Sequence, residues 1–405
     1  MTASTAPTAT APRSPSELRR AAVMAVLTAC VFVVGTAEWV MVGLLPELAA
    51  DLHRPLPVTG SLVTWYALVV TVAGPLVTVG MLRLARRRAL QVLLGVFVAG
   101  NLAAAVAGSF NTLVAARILT ALTHSTAFAV TVVIAVAMTP ATHRGRAIAA
   151  VTAGWNLATV LGAPLGTWLG HQFGWRTTFW AITALAALVL CAVTALVRPP
   201  TPHEAARPSG EVRAMLRPRA ALVLAIIVVA QAGLFTTYTY IAPLLRQVSG
   251  FTDSAVTLLL ALFGLGAVGG NILGGRLADR APWAGLCTVL TALAGVLAAF
   301  TLTSEVRWAA ATTVLTLGVI AAALIPLLQD RALAASPEAP TLVTAISASA
   351  FNLGVAGGSQ LGGQALTTGL TLHDLPWTGA LVAGGAVLLA AAAARRSPTT
   401  TVTMW

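Results

Sequence analysis

The chain alternates between long apolar runs and short polar clusters rich in Arg, Pro and Asp, and this alternation sets its architecture. A helix needs about 20 apolar residues to cross the hydrocarbon of a bilayer, and twelve runs qualify. They lie near residues 21–45, 58–81, 89–108, 112–138, 147–170, 177–197, 220–244, 254–275, 283–302, 307–328, 341–370 and 376–394. The eleventh is long and is expected to start late. The pattern predicts an all-α membrane protein of twelve transmembrane helices. Residues 1–18, rich in Thr, Ala, Pro and Ser, bury too little to offset the entropy of ordering and are expected to form a disordered tail; residues 397–405 are expected to form a second tail at the other end. No A-x-A cleavage site follows a short apolar region, so the first run is expected to be retained and not removed as a signal peptide.

Composition agrees with the pattern. Of 405 residues 58% are hydrophobic and 9% charged, with a mean hydropathy of +0.87. Soluble domains carry about a quarter of their residues as charge, so the soluble enzyme classes are excluded. The net charge is +12 and all 24 basic residues are Arg, which in one patch would suggest nucleic acid. They sit between the apolar runs instead. Basic residues near span ends stay on the cytoplasmic side, and with the N-terminus inside, the cytoplasmic segments hold 19 Arg against four outside: Arg54, Arg176, Arg246 and Arg307. Both termini are therefore expected to be cytoplasmic, and nucleic acid is not an expected partner. The Pro-rich stretch Arg198–Arg219 reads as a cytoplasmic linker between six-span halves at 19–197 and 220–396. Cys30, Cys191 and Cys287 lie inside apolar runs without CxxC or Cys/His spacing, so neither a disulfide framework nor a metal site is signalled.

An internal repeat runs at an offset of about 196 residues. Asn156-Leu157, Gly162, Leu165 and Gly166 recur as Asn352-Leu353, Gly358, Leu361 and Gly362. Gly80 matches Gly275, and Pro46 matches Pro243 at nearly the same offset. Parallel six-span halves related by an axis along the membrane normal are the arrangement of major facilitator transporters, with the substrate site at the midplane between them.

Of the twelve acidic residues only Glu38 falls well inside a span, about 7.5 Å beyond its midpoint at 1.5 Å per residue. An ionised carboxylate there costs about 2.5–3.5 kcal/mol on insertion scales, and such groups default to function. Glu38 is either a proton carrier or a neutral packing residue. Arg117 is the one basic residue well inside a span, and His124, two helical turns on, shares its face with Thr120 between them. This stripe either lines a cavity and tunes proton affinity at Glu38, or Arg117 bonds carbonyls near a half-helix end and His124 caps a neighbouring helix. The repeat carries Glu38, Arg117 and His124 to about Phe235, Thr313 and Ile320, which confines proton chemistry to the first half.

Specific motifs then carry a family resemblance over residues 22–394. The run Gly35-Thr36-Ala37-Glu38-Trp39 with Val42-Gly43-Leu44-Leu45-Pro46 resembles the first span of the twelve-span drug:proton antiporters of the major facilitator superfamily. Gly162-Ala163-Pro164-Leu165-Gly166, with Gly154 before it, resembles their fifth-span antiporter motif, and Ala116–His124 their fourth-span motif with Arg117 in the matching place. Ala350-Phe351-Asn352-Leu353-Gly354 and Leu361-Gly362-Gly363 are similar to their eleventh span. The likeness is strongest to the arabinose-efflux-like and actinobacterial chloramphenicol-exporter branch, which implies a monomer in a bacterial inner membrane. One departure concerns the cytoplasmic gate motif. Between spans two and three it reads Gly80-Met81-Leu82-Arg83 without the usual Asp, while the second-half copy, Gly275-Arg276-Leu277-Ala278-Asp279-Arg280, keeps one. Asp279 is expected to pair with Arg280 or with a neighbouring helix end. The basic run Arg83–Arg88 either belongs to this gate or anchors the loop and binds anionic lipid.

The resemblance implies a central cavity lined by spans one, two, four, five, seven, eight, ten and eleven. Aromatic candidates are Trp39, Trp65, Tyr66, Phe128, Trp155, Phe235 and Tyr238, with Tyr240 and Phe263 beside them; Asn156, Gln231, Asn271, Asn352 and Gln360 are mid-span amides that fix ligand orientation or bond helix to helix. Such a lining suits a flat, largely apolar ligand. No Walker A run, dinucleotide fingerprint or HExxH appears, so no cofactor is expected and the drive is expected to be a proton gradient. The sequence thus reads as a non-enzymatic exporter of a small amphipathic compound in exchange for protons. Proton-coupled efflux of a sugar or nucleoside is the alternative within transport, and a receptor that binds without transporting is the alternative outside it.

Overall fold

The computed structural model describes residues 15–81, 83–140, 143–197, 218–336 and 340–396. Its regular structure is helical throughout. The first half comprises α1 (Pro15–Asp51), α2 (Leu56–Met81), α3 (Arg86–Ala105), α4 (Phe110–Ala137), a fifth span built from α5 (Arg144–Leu157), a π-helical turn (Ala158–Gly162) and α6 (Ala163–Phe173), and α7 (Trp175–Leu196). The second half comprises a seventh span broken into α8 (Pro218–Tyr238) and α9 (Ile241–Gln247), then α10 (Asp253–Arg280), α11 (Pro282–Thr303), α12 (Arg307–Ala335), α13 (Pro340–Thr367) and α14 (Leu375–Arg396). Eleven spans are long and apolar enough to cross a bilayer by length and composition, and α13, at 28 residues, completes the twelve.

Two expectations about ends are corrected. α1 begins at Pro15, so the last four residues of the anticipated tail are helical; a proline at the first helical position has its φ preset and sacrifices no hydrogen bond. α13 begins at Pro340 for the same reason, not late. Residues 1–14, 198–217 and 397–405, which hold the rest of the anticipated tails and nearly all of the linker, lie outside the described residues.

Prolines shape the spans differently in the two halves. Pro243 lacks the N–H that would bond the carbonyl of Thr239, and the seventh span breaks there, leaving Thr239 and Tyr240 in a turn. Pro46, its repeat counterpart, stays inside a continuous α1. Pro164 likewise follows the π-helical turn, where the widened helix takes up the missing bond.

Each half has its own apolar core. In the first it is built around Leu27, Phe97, Leu113 and Phe179, in the second around Leu260, Leu290, Phe300 and Leu324. Inside each half one seam of small residues brings two spans into near contact. Gly154, Gly162, Gly166 and Gly170 of the fifth span face Thr28, Thr36, Val40 and Leu44 of α1. Gly354, Gly358 and Gly362 of α13 face Val228, Ala232 and Thr236 of α8. The spacing along the chain is the same in every pair, so the internal repeat is a repeat of packing. A Cβ at Gly162 would lie 2.0 Å from Thr36 Oγ1, and one at Gly358 2.3 Å from the carbonyl oxygen of Ala232. Hydrogen is the only side chain that fits either place.

The halves meet along α2 with α13 and along the fifth span with α10. Thr71 Oγ1 donates to the Ser349 carbonyl at 3.3 Å, Ser359 Oγ to the Gly60 carbonyl at 3.1 Å, and Asn271 Nδ2 to Asn156 Oδ1 at 3.1 Å. At one end of the bundle, Arg246 in α9 bonds Glu47 in α1. Between described residues the polar contacts across the halves thus run from the middle of the spans to this Glu47 end. At the opposite end, where α3 begins at Arg86, Gly80 and Gly275 have open space beside them.

Candidate functional site

The middle of the first half gathers the polar residues that the sequence singled out. Glu38 sits in α1, Tyr66 in α2, and Arg117 and His124 on one face of α4. Arg117 is 1% exposed. One of its terminal nitrogens donates to the Ala37 carbonyl at 2.8 Å, and its guanidinium lies over the Tyr66 ring at 4.3 Å from the centroid. A buried cation needs such partners because its desolvation is otherwise uncompensated. The Tyr66 hydroxyl bonds His124 Nδ1 at 2.9 Å, and His124 Nε2 lies 4.0 Å from Glu38 Oε2. Carboxylate, imidazole, phenol and guanidinium thus form one chain of contacts.

Arg117 bonds a carbonyl and also lines the cavity. The carbonyl belongs to the unbroken middle of α1, not to a half-helix end. Arg117 makes no ion pair with Glu38. Capping of a helix by His124 is overturned, because its partners are Tyr66 and, edge to face at 5.1 Å, Trp155. Thr120 leaves the stripe as well: its hydroxyl returns to the Arg117 carbonyl and its methyl packs on Gly100 of α3.

A small cavity opens beside this chain between the halves, lined by Glu38, Trp39, Val42, Val63, Tyr66, Ala67 and Arg117 from the first half and by Phe235 and Val355 from the second. It has room for a water molecule but not for a drug-sized ligand. Glu38 Oε2, Trp39 Nε1 and Arg117 Nε are buried there without hydrogen-bond partners. Buried polar atoms are almost always satisfied, so this wall presents an acceptor and two donors to whatever enters.

The aromatic candidates divide. Trp39 packs against Phe235 and Tyr238, each at 6.0 Å, Tyr238 lies on Phe263 at 4.4 Å, and Phe351 closes on Phe235 at 6.2 Å, so one cluster spans both halves. Trp155 and Phe128 form a second group behind His124. Trp65 is 48% exposed and touches no other ring, which removes it from the cavity. Tyr240 is buried, but in the joint between halves, against Gly60 and the Ser359 carbonyl.

The amides divide too. Asn156 and Asn271 bond each other across the halves, and Gln231 and Asn352 are buried with unpartnered carbonyl oxygens. Gln360 faces outward. Gly154, Gly162 and Gly166 hold α1, and therefore Glu38, against the fifth span, with Pro164 shaping the turn between them. Arg83 is exposed at the Arg86 end. The anticipated pairing of Asp279 is not found among the described residues: it is exposed and makes no ion pair or hydrogen bond with them.

Residues 27–359 match the family model of the Major Facilitator Superfamily. The chain belongs to this superfamily. It is 36% identical over 355 residues to the inner membrane transport protein YdhP of Escherichia coli K12, covering 87% of this chain and 91% of that protein. It is 32% identical to a chloramphenicol resistance protein of Streptomyces lividans, covering 88% and 92%, and 31% identical to a probable sugar efflux transporter of Mannheimia succiniciproducens, covering 88% and 90%. The protein is a multi-pass membrane transporter, not an enzyme.

Sequence reasoning missed one group of side chains, at the Glu47 end. Glu47, His171, Arg246 and Asp253 converge there from four helices. The available signal was Arg246 itself, one of the four arginines on the side expected to be poor in them.

Proposed function

We propose that the protein exports a small, flat, amphipathic compound in exchange for protons. One observation carries this reading. Glu38, the only carboxyl in the middle of the spans, lines the same inter-half cavity as the Trp39–Phe235 ring pair, and its Oε2 atom has no hydrogen-bond donor. A proton on Glu38 and a ligand among the rings then compete for one space. Linkage makes such competition reciprocal: each lowers the affinity of the other by the same factor. With both termini inside, as the distribution of Arg supports, protons enter from the end that carries Glu47. A proton moving inward releases about 1.4 kcal/mol per pH unit and about 2.3 kcal/mol per 100 mV, enough together to expel a neutral solute against a gradient of order a hundredfold. The apolar, aromatic lining favours an amphipathic drug over a sugar, whose hydroxyls would find few partners.

The test is proteoliposome flux with a panel of aromatic antibiotics, sugars and nucleosides, together with substrate-induced proton release in detergent. Amphipathic compounds should be moved uphill and should release protons. Glu38→Gln keeps the size of the side chain but cannot titrate; it should bind and exchange substrate yet neither release protons nor move substrate uphill. Retained proton release in this variant would place the proton site elsewhere, and transport of sugars alone would overturn the substrate class.

A further inference from the structure

At the joint between the halves an aromatic ring is set into bare backbone. Tyr240 lies in the turn that separates α8 from α9, and at φ −106° and ψ 18° its backbone has left the α-helical conformation. It is fully buried, in a socket made by three glycines. Gly60, near the start of α2, meets one edge of the ring: a Cβ there would lie 2.2 Å from the hydroxyl oxygen and 2.7 and 2.8 Å from Cζ and Cε1. Gly362 of α13 meets the opposite edge, with a Cβ 2.8 Å from Cε2, and a Cβ at Gly363 would lie 2.8 Å from the hydroxyl oxygen. Gly362 and Gly363 belong to the same half as Tyr240, and Gly60 belongs to the other. Leu44, the counterpart of Tyr240 at the repeat offset, lies in the unbroken α1 and packs on Gly170 of its own half. The seventh span, broken at Pro243, instead carries a ring that reaches across the joint.

The hydrogen bonds of the socket divide between the halves. The Tyr240 hydroxyl donates to the Ser359 carbonyl at 3.3 Å, inside the second half, and the Ser359 hydroxyl donates to the Gly60 carbonyl of the first half at 3.1 Å. Parting the halves at this end leaves the phenol its partner, so no buried donor is orphaned; it breaks the Ser359–Gly60 bond and draws one wall of the socket away. The three heavy atoms nearest to a Cβ at Gly60 all belong to Tyr240. A side chain at this position therefore meets the other half first. The ring has no room to retreat from it, because the α13 backbone at Gly362 stands against the opposite edge.

We propose that Tyr240 is a plug that shuts the Glu47 end of the transporter and that Gly60 is its seat: as the halves close the ring enters the socket, and the bare Cα at position 60 sets how strongly closure is favoured. A methyl at this place acts on the closed arrangement and not on the open one, so it shifts the population between them. The device needs neither a proton on Glu38 nor the transported compound.

Spin labels at Asn111 and Glu305, exposed at the Glu47 end of each half, report the separation by pulsed dipolar distance measurement at a single pH. The full chain is used in lipid nanodiscs without substrate, with Cys30, Cys191 and Cys287 replaced. Gly60→Ala should raise the separated-to-closed ratio by at least about tenfold, because overfilling a packed site is costly. Ser359→Ala, which removes the bond to the Gly60 carbonyl, should shift the ratio in the same direction by up to about tenfold. Tyr240→Leu ends short of the hydroxyl oxygen, Cζ and Cε1. In a chain that already carries it, adding Gly60→Ala should change the ratio by less than about twofold, since the pair that clashes is gone. Gly80→Ala, with nothing within 4 Å, should match the parent. Parent-like distances in Gly60→Ala, or a Gly60→Ala shift as large with Tyr240→Leu as without it, overturn the proposal. So does a Gly60→Ala chain that fails to fold and that Tyr240→Leu does not rescue, because the clash then lies within the first half; rescue of folding supports it.

Discussion

At the residue scale, the buried arginine matters most. Arg117 reaches the Ala37 carbonyl and covers the Tyr66 ring with one planar group, a double fit that an ammonium cannot reproduce. Arg117→Lys is therefore expected to insert and fold but to lose uphill transport by at least about tenfold, equivalent to about 1.4 kcal/mol, as measured by flux into proteoliposomes. Tyr66→Phe keeps the ring beneath Arg117 and removes the hydroxyl on His124 Nδ1. Its cost in stability should be about 1 kcal/mol, while the pH profile of transport moves because His124 loses the bond that orients it. A profile identical to wild type would mean that His124 does not act on Glu38. Trp65→Ala, which removes an exposed ring, should leave transport unchanged. Trp65 and Tyr66 are adjacent in sequence, and only the rotation of α2 sends one ring outward and the other onto Arg117.

At the scale of elements, the fifth span shows why motif residues with no reactive chemistry affect function. Its glycines let α1 approach closely, so the position of Glu38 is set by hydrogen atoms on a neighbouring span. Gly162→Ala forces its new methyl into Thr36 and should cost about 1–3 kcal/mol, and Gly358→Ala should cost a similar amount in the other half. Gly80→Ala meets nothing within 4 Å and should be neutral or stabilising by up to about 1 kcal/mol. Thermal unfolding of the three variants in one detergent checks the order; equal melting temperatures would show that the seams are loose. The spans themselves were legible because about 20 apolar residues between polar clusters admit few other structures in lipid. The break after Tyr238 was not, because Pro46 and Pro243 look alike in sequence and only the neighbours of each decide whether the helix stays continuous.

At the scale of the molecule, polar contacts between the halves run, among the described residues, from mid-span to the Glu47 end. Rocking of the halves about a central site would close one end as it opens the other. Labels at Ile148 and Arg276, on the Arg86 end of α5 and α10, are expected to move together when labels at Asn111 and Glu305, exposed at the Glu47 end of each half, move apart. Distances that stay fixed at both ends across pH and with an added aromatic substrate would rule out rocking of rigid halves.

The sequence by itself determined the twelve spans, the two matching halves and the residues able to carry charge in the middle of the membrane, because hydropathy, repeat spacing and the cost of burying a charge are all written along the chain. It also marked Glu38 and Arg117 without saying whether they touch. Tertiary structure decided that they line one cavity without pairing, that Tyr66 links Arg117 to His124, that Trp65 and Gln360 face outward, and that Glu47, His171, Arg246 and Asp253 meet. The physical reason is distance along the chain: these contacts join helices up to about two hundred residues apart, and their geometry depends on the rotation and close approach of whole helices, which the glycine seams set and no local pattern records.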